Sequence, residues 1–118
     1  MVMEAFVQPS RPKDAAQPRE IRLHAVIYQS GEWWIAACLE HCFVTQARTE
    51  EALLVDLERI IKTHIFLETE RGRDPFVSIP RAPQRFWKMY EDAAAHPLDD
   101  LQVSGSAEVQ PIVELRAA

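Results

Sequence analysis

A chain of 118 residues has room for one domain and little more. With 47% hydrophobic and 26% charged residues it is too apolar for a fully disordered chain, and no stretch approaches the roughly 18 to 20 apolar residues of a membrane span. The formal charge of −5, from 13 basic and 18 acidic residues, suits a basic partner better than the phosphates of a nucleic acid.

Residues 1–20 hold Pro9, Pro12 and Pro18 among polar residues and read as a flexible leader. Glu4 interrupts the apolar run there and no cationic region precedes it, so no secretory signal is expected and the cytoplasm is the expected location. Cys38 and Cys42 are then expected as reduced thiols. From Ile21 the chain alternates: Ile21, Leu23, Ala25 and Ile27 against Arg22, His24, Val26 and Tyr28, the period of a strand with one dry face. Gly31 supplies the hairpin turn. Trp33 to Cys38 is apolar on both faces, as a central strand is, and Cys42 to Ala47 reads as a third strand.

Thr49 is a favourable helix N-cap, and Glu50 and Glu51 place negative charge at the positive end of the helix dipole. Leu53, Leu57, Ile60, Ile61 and His64 recur at helical spacing, with Leu54 and Ile65 widening the stripe, to about Arg71 and a stop at Gly72. Pro75 to Pro80 reads as a short fourth strand or an extended segment. Phe86, Met89, Tyr90 and Ala93 line one side of a second helix over 83–95. Residues 97–108 read as a flexible connector, and the short alternation from Ile112 to Arg116 leaves strand and coil open.

These elements predict an α+β fold. An antiparallel sheet of three to four strands, in the order β-β-β-α-β, carries the helix 50–71 across one face. A C-terminal helix packs outside it or on a neighbouring subunit. The predicted units are a leader at 1–20, a compact domain at 21–80, a helix at 81–96 and a connector with a short tail at 97–118.

The segment from Trp34 to Ile61 resembles the N-terminal domain of the HicB-like antitoxin family. The resemblance rests on Gly31, Trp34, Cys42, Thr45, Gln46, Thr49, Glu51, Ala52 and Leu53 and covers roughly residues 21–80. Leu39 stands where the family has proline, and Ala47-Arg48 where it has Gly-Asp. The resemblance implies a sheet similar to part of ribonuclease H, a homo-oligomer, and neutralisation of a small basic mRNA-cleaving toxin by occlusion. The family's usual DNA-binding module has no counterpart after this domain, because one helix at 83–95 cannot form a helix-turn-helix. A stand-alone oligomeric scaffold without a toxin is the alternative.

A nuclease of this topology needs several carboxylates converging from adjacent strands, whereas the strand 21–28 holds no acid and Glu40 lies in a break. An enzyme is therefore not expected, nor is a cofactor. Cys38, His41 and Cys42 lie within five residues, yet His24, His64 and His96 form no second ligand pair, so packing rather than metal binding is expected. His64 reads as a core or edge histidine. Arg85 to Tyr90 mixes basic and aromatic residues but fits an amphipathic helix, so no nucleic-acid contact is expected. Val55 and Phe66, three helical turns apart, stack opposite the apolar stripe with Ala52 and Arg59 beside them. The second helix, another subunit or a partner should cover them. Val55, Arg59, Phe66 and Trp34 are the candidate interface residues.

Overall fold

The computed structural model describes residues 18–105 and 108–118. Five strands and two helices follow in the order β1 (Arg19–Ser30), β2 (Trp33–Cys38), β3 (Val44–Ala47), α1 (Glu50–Glu70), α2 (Gln84–Asp92), β4 (Leu101–Gln102) and β5 (Val109–Ala117). The sheet order is β3-β2-β1-β5-β4. The leader expected at 1–20 lies outside the described residues up to position 17, and Arg19 and Glu20 already belong to β1.

Gly31 turns β1 into β2 at φ +61, and Glu32 does not share the positive φ, which makes a type II′ turn between Ser30 and Trp33. Helix α1 is fixed at both ends. The Thr49 hydroxyl accepts the Ala52 N–H at 3.1 Å. At the other end Gly72 takes φ +69 while Gly72 N–H and Arg73 N–H donate to the Thr69 and Glu68 carbonyls, a Schellman motif. Leu53, Leu57, Ile61 and Ile65 recur every fourth residue and are fully buried against the sheet, over Leu23, Ala25, Ile27, Ala36 and Cys38.

Three expectations are corrected. The sheet is not antiparallel with three or four strands, because the tail forms the nine-residue β5 and pairs in parallel with β1 from Arg19↔Val109 to Ile27↔Ala117. The expected connector at 97–108 contains β4, whose Leu101 pairs with Val113. Pro111 does not break β5. A residue's N–H and C=O point to the same side of a strand, and the Pro111 carbonyl accepts from Val103 N–H, away from β1. The missing donor thus faces the side where β4 has ended, and no ladder bond to β1 is lost. Close packing on that side also explains Gly105, where a Cβ would stand 1.8 Å from the Val109 carbonyl oxygen.

The second correction concerns 75–80, which is a turn rather than a strand. It leads to residues 80–82, where Cys42 N–H donates to the Pro80 carbonyl and Ala82 N–H to the Leu39 carbonyl. This seam carries the chain round to the other face of the sheet. The third correction follows from it. Helix α2 lies on the face opposite α1, burying Phe86 and Tyr90 with Val26, Ala37, Leu39 and Ala82. The middle of β1, Ala25 to Ile27, is therefore dry on both faces, and Val26 is fully buried.

Candidate interaction surface

Every residue of α1 that faces away from the sheet is set by the buried stripe on its other side. Val55 and Phe66 fall on this outer face, and each is 62% exposed. Leu67 adds 41% exposure beside them. Because α2 occupies the opposite face of the sheet, it does not cover them. Arg59 stands in the same row, mostly exposed and ion-paired with Asp56 one turn earlier. Along α1 six carboxylates (Glu50, Glu51, Asp56, Glu58, Glu68 and Glu70) face two basic side chains, Arg59 and Lys62. The outer face is thus apolar at Val55 and Phe66, with Glu58, Arg59 and Lys62 between them and the exposed Glu51 and Glu70 toward its ends.

A groove of about 580 Å³ runs between α1 and the edge strand β3, bounded by Thr45, Arg59, Ile60, Thr63 and Leu67, with Phe43 and His64 in its wall. Trp34, the fourth candidate, is placed elsewhere. Its side chain is half-buried on the sheet side of α1, packed against the core.

One end of this surface is tied to the loop that follows α1. Glu68 is buried and receives two hydrogen bonds from Arg73, both 2.9 Å. Those bonds from Arg73 hold its carboxyl below the usual carboxylate range against the opposing effect of burial. One turn earlier, His64 Nε2 accepts the Phe76 N–H at 2.7 Å. Phe76 is the one non-glycine described residue with positive φ, at +73. Such a conformation costs a bulky residue on the order of 1–3 kcal/mol. Burial of its ring between His41 and His64, with Phe43 edge-on, offsets that cost. Sequence reasoning placed His64 on the stripe but missed this arrangement, because nothing local marks Phe76 as left-handed. The turn-forming Asp74-Pro75 just before it was the available signal.

A second polar cluster sits on the α2 face. Glu40 accepts the His24 backbone N–H at 2.9 Å, and its other oxygen lies 2.5 Å from the His24 ring Nδ1. Arg22 bridges Glu114 and Glu20 at 3.2 and 2.9 Å. The Arg116 guanidinium lies over the Tyr90 ring and donates to the Tyr90 carbonyl, tying β5 to α2. Strand alternation puts Arg22 and His24 on this face; the partners from β5 were not visible without the parallel pairing.

The two cysteines are free and point to opposite faces, Cys38 into the α1-side core and Cys42 toward the α2 side. Burial, aided by nearby Glu40, pushes the Cys38 thiol up to about 12, so it stays protonated and behaves as a small hydrophobe. Among the described residues no group of three or more His, Cys, Asp and Glu side chains is placed to hold a metal ion, and no helix is long and apolar enough to cross a membrane. Compared with family models, curated proteins and solved structures, the chain matches none.

Proposed function

We propose that this chain is a protein-binding module of the HicB-like antitoxin type, which neutralises a small basic mRNA-cleaving toxin by covering it. The outer face of α1 carries the reading. Val55, Phe66 and Leu67 expose apolar area on a folded domain, with charged side chains of both signs beside them, on a chain whose net charge is −5. Apolar patches rimmed by polar and charged residues mark protein-binding surfaces, and a net acidic chain favours and steers basic partners. The resemblance across residues 21–80 supplies the class of partner. On this reading the protein performs no catalysis.

Co-expression with any small basic protein found encoded beside this chain tests the proposal. That protein alone should arrest growth, and this chain should restore it. Val55→Asp with Phe66→Asp should abolish the rescue while the circular dichroism spectrum stays unchanged. A neighbour that is not toxic, or rescue that survives both substitutions, would overturn it.

An oligomeric scaffold without a toxin is the second reading, favoured by β3. This edge strand reads Val-Thr-Gln-Ala, with none of the charges or prolines that usually protect an edge from pairing. A solution mass above one chain that falls to a monomer on Gln46→Pro, whose N–H points away from β2, with no toxin found, would select it.

A further inference from the structure

The loop after α1 hangs on a hydrogen bond that requires an unprotonated ring nitrogen. Since His64 Nε2 accepts the Phe76 N–H at 2.7 Å, the neutral ring must carry its proton on Nδ1. Phe76 lies in the left-handed region, where a large side chain stays only if its surroundings hold it. Besides that bond, the hold is a stack: ring centroids 5.1 Å from His41 and 5.2 Å from His64, with Phe43 edge-on at 6.1 Å. Phe43 and His64 are also the wall of the groove between α1 and β3.

We propose that His64 is a proton-operated latch on the 72–80 loop. Neutral, it holds Phe76 and keeps the end of the groove closed; protonated, it turns from acceptor to donor, the loop lifts, and Phe43 with the His64 ring is uncovered. The latch operates with or without a bound partner.

The groups facing the ring single out His64 as its moving part. Glu68 comes from the same helix, His41 from the β2–β3 break and Arg73 from the loop, while Asp56 and Arg59 share the groove. Burial outweighs the attraction of Glu68, and His41 and Arg73 add to it, so the imidazole is held below its ordinary 6.5. Glu68 stays ionised through that range, so its Arg73 bonds persist. His41 Nδ1 lies 3.2 Å from the Ile79 carbonyl, which can only accept, so that bond survives protonation. The sign follows: with the closed-state affinity for a proton lowered, the latch is fully closed above the free value of 6.5 and opens as pH falls below it.

Hydrogen exchange of the 72–80 backbone, corrected for the intrinsic pH dependence of exchange, reads the opening directly. Between pH 7.5 and 5.5 protection should fall by up to about tenfold, as a ring freed to titrate normally allows. His64→Gln keeps an acceptor at a similar reach and cannot titrate, so its protection should be flat with pH. His41→Asn keeps the donor to Ile79 and should retain the step. Protection that is constant in the parent protein, a step that persists in His64→Gln, or one that vanishes in His41→Asn would overturn the latch. Should His64→Gln fail to fold, the ring titration of the parent protein followed by nitrogen chemical shift decides. Its midpoint must lie below 6.5 and coincide with loop opening; a midpoint at or above 6.5 refutes it.

Discussion

Helix α1 covers its face of the sheet with four fully buried aliphatic side chains and is hydrogen-bonded at both ends, whereas α2 covers the other with Phe86 and Tyr90 and has no side-chain cap at Pro83. Around α2 the contacts are cations on rings. The Arg81 guanidinium lies 4.2 Å from the Trp87 ring centroid, Arg85 4.5 Å from Phe86 and Arg116 4.1 Å from Tyr90. The difference teaches that one sheet can be closed by two kinds of cover. One is a cap-to-cap helix that belongs to the core. The other is a short segment, held by its rings and by the 80–82 seam, and is expected to open before α1 does.

The strongest way to break the comparison is Leu57→Ala. Leu57 is fully buried beneath α1, so a cavity there should cost about 3–4 kcal/mol and lower the midpoint of a single denaturant transition for the whole domain. Phe86→Ala should cost about 3 kcal/mol, the low end for a buried ring, and act locally. Amide protection across 84–92 should collapse while α1 remains protected; loss of both together would mean that α2 belongs to the same cooperative unit. The caps come next. Thr49→Ala and Gly72→Ala should each remove about 1 kcal/mol through α1 alone, read from the same denaturation curves. Smallest is Phe66→Ser, which changes stability by no more than about 0.5 kcal/mol because its ring is exposed. Its effect should appear in partner binding instead.

Helix α1 was legible because every signal for it is local: the Thr49 cap, the repeat through Leu53, Leu57 and Ile61, and the stop at Gly72. The hairpin was legible for the same reason. What escaped is what depends on distant partners. The alternation from Ile112 to Arg116 was too short to distinguish strand from coil, and the strand that pairs with it in parallel lies about ninety residues earlier in the chain. The layer occupied by α2 escaped too, although Val26 and Tyr28 on the nominally wet side of β1 hinted at a second cover. Of the candidate surface, Val55 and Phe66 were found by helical spacing, and the His64–Phe76 bond was not, because it joins a helix to a turn twelve residues on.

The parallel pairing of β1 with β5 sets the order in which this molecule can assemble. Hairpin β1–β2 and helix α1 can form from neighbouring residues within microseconds. Strand β1 must then wait for a partner about ninety residues further along the chain, a closure that has to be made against the entropy of everything between. Until β5 arrives, β1 presents one bare hydrogen-bonding edge. The same chain therefore folds its α1 half early and remains open to wrong pairing, with another copy's β5 above all, until its last strand is in place.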